Sequence, residues 1–452
     1  MHDLRKQVLL ESGKTLSRKA RSKQTTPSSS RANSAAPSQR GSRVPSANVS
    51  DDEGDFSDGT QWSSNSIDEM IAPDVAEEDE APEAWIADLS DRIDEICNRK
   101  RSSVQGREDC LTIFITRLTR HYAQAEIAGK VEELVPALLK SVRAGQSERE
   151  TVLALKALAL VVITDPSETI YDTIAGPIKT CITDGQHALA KIAAVHSLSV
   201  ATFYGGAATE ETEQVMDFFL DIASSDGAVV EEADNAKLVT AALQEWGFLA
   251  TQLEDMEDAT EAAMDTFVDQ LDSSAVHVQV AAGENIALLY EKSYTEAESD
   301  DDEPEADPET ETAETPHGNG HTPRMIKRYT VSRHPYALTQ TLAALATASS
   351  KRLAKTDRKH LHQSFADILH TVEHPTRGPR YSTARDEDGR EYGSRLTVTL
   401  APGGAAGAAA KMKVDRWWKL HRLQGLKRGL GGGFLVHCEG NEVVRESLVG
   451  EF

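Results

Sequence analysis

From Trp85 to about Tyr294 apolar residues recur at helical spacing, and Gly, Pro or Asp breaks the runs every 15 to 20 residues. The spacing predicts helices over 85–98, 106–124, 129–143, 147–163, 167–182, 186–204, 209–224, 229–251, 256–271 and 275–293. Four runs are rich in alanine and look related: ETVLALKALALVV from Glu150, HALAKIAAVHSLSVA from His187, NAKLVTAALQEWGFLA from Asn235 and VQVAAGENIALLYE from Val278. Their starts lie roughly 40 residues apart, the period of armadillo and HEAT repeats. Small side chains let such helices approach closely, and each pair buries its apolar face only against the next. The expected fold is therefore all-α, an armadillo/HEAT-like α-solenoid over 85–295.

The flanks break this pattern. Residues 2–23, HDLRKQVLLESGKTLSRKARSK, start with a short apolar stretch and turn basic, as a helix that forms on a partner would. Gln24 to Glu83 is rich in Ser, Pro and Arg and then in acids, with too little apolar surface to offset the entropy of ordering it. A disordered tail over 1–84 is expected, with Ser50 and Ser57 beside acids as kinase sites. Residues 296–314 hold eleven acids and no base, interrupted by Pro304 and Pro308, so 296–323 reads as an acidic, disordered linker. Helical spacing returns at 333–349 and 353–372, a continuation placed at 324–375. The Gly- and Arg-rich stretch 376–410 reads as a flexible insert, and 411–452 as a last compact domain.

Composition narrows the function classes. Aromatic residues are 5% of 452, which favours thin helix-on-helix packing over one thick core. The net charge of −25 is divided: residues 1–49 carry 10 Lys and Arg against 2 Asp and Glu, 50–323 carry 16 against 59, and 324–452 carry 22 against 12. An acidic body with basic ends can offer those ends to polyanions. Without an 18-residue apolar run or an N-terminal apolar targeting segment, the reading is a soluble protein with no membrane partner, expected in the cytoplasm and also in the nucleus. Cys97, Cys110, Cys181 and Cys438 are scattered, which points to reduced thiols and neither disulfides nor zinc.

Catalytic signatures are weak. Ser12-Gly13-Lys14-Thr15 contains G-K-T, but Val8 stands where a phosphate loop needs its first glycine. Gly429-Leu430-Gly431-Gly432-Gly433 follows a predicted helix, which suits a C-cap. His370 and His374 have the i, i+4 spacing of metal ligands, with no third ligand in view. The richer signal is KMKVDRWWKLHRLQGLKR over 411–428. Lys411, Lys413, Arg416, Lys419, Arg422, Lys427 and Arg428 are candidates for RNA phosphate. Trp417 and Trp418 serve either as stacking surfaces or as anchors of the helix to the solenoid.

Three stretches together, VQVAAGENIALLYE at 278–291, DRKHLHQSFADILHTVEH at 357–374 and VDRWWKLHRLQGLKRGLGGGFLVHCEGNEVVRESLVG at 414–450, resemble the interferon-related developmental regulator family and occur in its order. The resemblance implies an armadillo-like N-terminal domain followed by the family's C-terminal domain, no enzyme activity, no cofactor and no small-molecule substrate. It implies a ribosome partner, with rRNA and ribosomal proteins contacted in translationally inactive ribosomes. The alternative is nuclear co-regulation of transcription through corepressor proteins, a peptide lying in the solenoid's concave face and the basic N-terminus acting as a localisation signal. In ribosome-bound family members a basic helix after the C-terminal domain enters the intersubunit tRNA region. Here Phe452 directly follows the matching domain, so the expectation moves to the N-terminus, where Arg5, Lys6, Lys14, Arg18, Lys19, Arg21 and Lys23 would reach into an RNA-lined cavity. The 376–410 insert departs from the family pattern, and a monomer is expected.

Overall fold

In a computed structural model of the chain, residues 84–99, 102–296, 325–348, 353–385, 391–401 and 410–449 are described. The expected N-terminal tail, with the basic segment 2–23, lies outside them, and so does the acidic stretch 297–324.

The helices are α1 (Ala84–Cys97), α2 (Val104–Arg120), the single turn α3 (Gln124–Ile127), α4 (Val131–Ala144), α5 (Glu148–Thr164), α6 (Ile170–Asp184), α7 (Ala188–Tyr204), α8 (Thr209–Ser224), α9 (Ala236–Ala250), α10 (Glu257–Gln270) and α11 (Val276–Lys292). After the acidic stretch come α12 (Pro335–Thr347) and α13 (Lys355–Glu373). They form an α-solenoid. Helices α2, α5, α7, α9, α11 and α13 stack one on the next as an inner layer, while α1, α4, α6, α8, α10 and α12 pack outside them.

The alanine-rich runs became the inner helices because an inner helix is covered on several sides. Leu153 to Val162 of α5 is buried at every position but Lys156. Outer helices keep one wet face, as in α8, where Val215, Phe219 and Ile222 are buried and Glu210, Glu213 and Asp217 are exposed. Polar side chains tie the inner layer together: Ser197 Oγ donates to the Leu155 carbonyl at 3.2 Å, and Asn285 Nδ2 to that of Leu243 at 2.8 Å.

One boundary differs from expectation. The helix predicted over 229–251 begins only at Ala236, because Gly227, Glu231 and Asp234 adopt positive φ (84°, 58° and 58°), and Asn235 Oδ1 then caps α9 by accepting the Leu238 N–H.

Three short antiparallel ladders add to the helices. β1 (Tyr294–Glu296) pairs with β2 (Met325–Lys327), so the two ends of the acidic stretch are held side by side. The segment expected to be a flexible insert contains β3 (Tyr381–Arg385), β4 (Glu391–Ser394) and β5 (Thr397–Ala401), with β6 (Ala410–Lys413) following. β3 pairs with β4 and β5 with β6. Leu396, Val398, Leu400, Met412 and Val414 drive this, since all point to one buried face. The Ser394 hydroxyl joins the two hairpins, 2.7 Å from the Pro379 carbonyl and 2.6 Å from that of Val414.

At the N-terminal end, buried Glu150 accepts Arg99 Nη2 at 2.6 Å and Arg107 Nη2 at 2.7 Å. Burial pushes its carboxyl up, but the Arg107 and Ser141 hydrogen bonds and both guanidinium charges hold it below the usual range. Removing a buried charge partner strands the others. Glu150→Ala is expected to cost about 3 kcal/mol, read as a lower urea midpoint with an unchanged denaturant slope.

Candidate functional site

After β6 the chain enters α14 (Trp417–Leu430), a three-residue 3₁₀ turn (Gly431–Gly433), α15 (Phe434–Gly440) and α16 (Glu442–Val449). Helix α14 lies along the inner layer and touches α5, α7, α9 and α11. The face expected to receive a peptide is thus filled by the chain's own helix.

The seat is built from apolar fit and end-to-end electrostatics. Trp417, Leu420, Leu423, Leu426 and Leu430 are buried, each contributing roughly 1.5–3 kcal/mol of apolar transfer. A Cβ on Gly425 would sit 2.6 Å from the Phe248 ring, and one on Gly247 would sit 2.5 Å from the His421 ring, so the two helices approach to a distance only glycine permits. At the N-terminus of α14, Glu291 accepts the N–H groups of Trp417 (2.8 Å) and Trp418 (3.1 Å). At its C-terminus Lys156 Nζ donates to the Arg428 carbonyl at 2.7 Å. An anion at the positive end and a cation at the negative end both complement the helix dipole.

Between these ends lies a buried charge cluster. Glu245 accepts Arg428 Nε at 2.7 Å and the Ser199 hydroxyl at 2.6 Å, and meets His196 Nδ1 at 2.7 Å. Burial raises its carboxyl, yet Arg428 and His196 outweigh burial and bring it to about 2. Arg422, 2% exposed, donates to the Thr251 hydroxyl (2.9 Å) and to the carbonyls of Thr251 and Ser447 (3.0 Å each). Helices α15 and α16 extend the seat: His437 Nε2 lies 2.8 Å from the Leu118 carbonyl, and Asn441 Nδ2 donates to that of Ile163 at 2.8 Å.

The sequence candidates therefore separate. Arg422 and Arg428 are spent inside, which corrects their assignment to phosphate: their charges are satisfied by the ends and acids of the inner helices. Lys427 is half-buried beside the Phe434 ring, and Lys419 bonds Asp415 at 2.8 Å. Arg416 is half-buried at the start of α14. Trp417 is an anchor, its Nε1 donating to Thr371 at 2.7 Å, while Trp418 is half-buried beneath Lys419 and Arg422. Lys411 and Lys413 are exposed on β6. Arg5, Lys6, Lys14, Arg18, Lys19, Arg21 and Lys23 lie outside the described residues. Gly431 caps α14 with φ 54°, as the glycine run suggests.

Lys156, Glu245 and Glu291 are the seat residues that sequence reasoning passed over. Their signal was a charge set among the apolar residues of an alanine-rich run, a position that needs a partner once the run is buried. Among the described residues no group of three or more His, Cys, Asp or Glu could hold a metal, and no helix is long and apolar enough to cross a membrane. His370 and His374 pack ring to ring at 5.1 Å, with Tyr381 stacked on His370.

Fold and site define a helical-repeat scaffold closed by its own C-terminal helix. The sequence profile of the interferon-related developmental regulator family matches residues 56–373, and the chain belongs to that family. It is similar to an uncharacterised protein of Schizosaccharomyces pombe, 27% identical over 366 residues, 80% of this chain and 74% of that one. It is also similar to interferon-related developmental regulator 1 of Homo sapiens, 22% identical over 329 residues, and to regulator 2 of Mus musculus, 24% over 211. The match covers 69% of this chain and 60% of the human protein, and 46% and 36% for the mouse protein, so the chain spans less than two thirds of each of those two relatives. The family is one of regulators.

Two outcomes test the seat. Gly425→Ala is expected to destabilise by about 1–3 kcal/mol through overpacking against Phe248, against the gain of about 1 kcal/mol that alanine brings to an exposed helix; chemical denaturation reads the sign. Burial raises the Glu284 carboxyl from 4.5 to about 7, on the inner face beside Gln424 and Arg428 of α14. The folded state thus holds this proton more tightly than the unfolded one, so its stabilising contribution is full below pH 4.5 and is lost as pH rises through 7. His421, lowered by burial to about 4, runs the opposite way below pH 6.5. Glu284→Gln should raise the melting temperature at pH 8 relative to wild type and leave it nearly unchanged at pH 4.

Proposed function

We propose that the chain is a non-enzymatic regulator that docks on ribosomes, preferentially those not translating. The observation that carries this reading is the filled inner face. With α14 seated against α5, α7, α9 and α11, the solenoid offers partners a preformed surface of outer helices, rims and hairpins in place of an open peptide groove. A large assembly of RNA and basic protein suits a body whose charge is segregated as this one's is. Residues 209–272 hold 18 acids against one base, Lys237, and suit basic protein surfaces, while the basic ends suit RNA phosphate. Membership in a family of regulators agrees with it.

The test is sedimentation of the tagged chain from lysate through a sucrose gradient at two salt concentrations, with nuclear and cytoplasmic fractions compared. Co-migration with monosomes and absence from polysomes, with release at high salt, is the expected result. Light fractions at both salts with nuclear enrichment would overturn it in favour of the transcriptional co-regulator. Deleting residues 2–23 is expected to lower the monosome-bound fraction, and unchanged co-sedimentation would remove the basic N-terminus from the docking.

A further inference from the structure

The β5–β6 hairpin has two unlike faces. The strand register pairs Thr397 with Lys413, Val398 with Met412 and Thr399 with Lys411. Leu396, Val398, Leu400 and Met412 therefore share the inward face, each no more than 9% exposed. Arg395, Thr397, Thr399, Lys411 and Lys413 share the other face, where all but the half-buried Thr399 are exposed. The Arg395 guanidinium donates to the Ser382 hydroxyl on β3 at 2.6 Å, and Lys413 Nζ lies 3.2 Å from where a Cβ would stand on Gly393 of β4. The two hairpins thus hold these cations together, with Arg377 over the Tyr381 ring at 4.9 Å beside them.

From this geometry we infer that the outward face of the β5–β6 hairpin, Arg395, Lys411 and Lys413 with Thr397 and Thr399, is a docking surface for the sugar–phosphate backbone of RNA. Cations and hydroxyls on a rigid ladder are the groups that contact phosphate, and Lys411 and Lys413 stand about 7 Å apart along β6. The described side chains of this face, Arg395, Thr397, Thr399, Lys411 and Lys413, are all polar, which suits neither the apolar anchor of a lipid surface nor the buried hot spot of a protein partner. Tyr381 is covered by His370 on one side and Arg377 on another, so recognition runs through the backbone and not through stacked bases. The acidic body repels RNA elsewhere and directs it to this face. Rigid support comes from the buried inner face and from Val414, which leads β6 into the seated α14. Residues 386–390 and 402–409 lie outside the described residues.

The choice of RNA over DNA rests on the ribosome reading, and the experiment separates that reading from the hairpin surface. The full chain and its Arg395→Glu/Lys411→Glu/Lys413→Glu variant are titrated into a fluorescein-labelled uridine oligomer at about 50 and 200 mM salt, with polyglutamate as competitor, and both are run on the sucrose gradient. The expected result is RNA binding at least tenfold weaker in the variant. Its slope of log affinity against log salt should be shallower by about 2, from three contacts at roughly 0.7 each for single strands. Thr397→Glu/Thr399→Glu, which keeps the Arg395–Ser382 bond, should weaken binding in the same direction without lowering the melting temperature. Wild-type RNA binding that both variants retain overturns the inference, whether or not monosome association persists. Absence of RNA binding, or competition by polyglutamate as strong as by unlabelled RNA, also overturns it. RNA binding lost in the variants without monosome association in wild type supports the hairpin surface and refutes the ribosome reading alone.

Discussion

Helix α14 is held at both ends by charges of the solenoid's inner layer, Glu291 at its first N–H groups and Lys156 at a last-turn carbonyl, and the rest of the structure depends on that fit. A helix laid in a groove leaves unpaired donors at one end and acceptors at the other, and burying them unpaired is costly. Here the groove supplies the missing groups in the correct polarity, so α14 fits in one direction only. The Arg428–Glu245 pair fixes it sideways. A buried pair adds little net stability, but separating it costs several kcal/mol because one charge stays behind. With α14 absent, Glu245 would keep only His196 and Ser199, and Glu291 would face no donor from Trp417 or Trp418. The inner layer is thus incomplete without α14, and α15 and α16 pack on it in turn, with β5 against α15.

The helices were legible in the sequence to within a few residues where local rules decide, as with α5 and α11, and less so where α9 starts behind a loop of positive-φ residues. The β5 strand was legible too: Leu396, Val398 and Leu400 alternate with Arg395, Thr397 and Thr399, a period-2 pattern overshadowed by the glycine tract at 403–407. The site was legible in part. KMKVDRWWKLHRLQGLKR shows a basic, aromatic helix, but whether a guanidinium ends in water or on a carboxylate is decided by residues far along the chain. Arg428 finds Glu245 at a separation of 183 residues, and Trp417 finds Glu291 at 126. No periodicity encodes such a partner. What the sequence does show is the other half of each pair, a charge flanked by apolar residues within an alanine-rich run.

The charge division acquires a structural meaning once α14 is seated. Arg422 and Arg428 leave the pool of surface cations, so the basic surplus of 324–452 is carried outward by fewer groups, among them Arg395, Lys411 and Lys413 on one ladder. The acidic surplus stays on the surface, since α8 and α10 turn Glu210, Glu213, Glu257, Asp258 and Asp269 to solvent. An object charged in this way orients before contact, because a polyanion approaching the acidic helices is turned away within a Debye length of about 8–10 Å.

The family match ends at Glu373, whereas the residues that fill the groove begin at Trp417. Lys156, Glu245 and Glu291 lie inside the matched region and their partners on α14 outside it, so the pairing of these charges is completed only by the segment beyond. A partner that sought the inner face would have to displace α14 and also resatisfy Glu245, Glu291 and the Thr251 carbonyl. It would have to supply its own helix with a basic residue near the C-terminal end, in the same polarity. A partner that binds the outer helices or the hairpin meets no such demand, because those groups are already in water. The energetics of the seat therefore direct recognition outward.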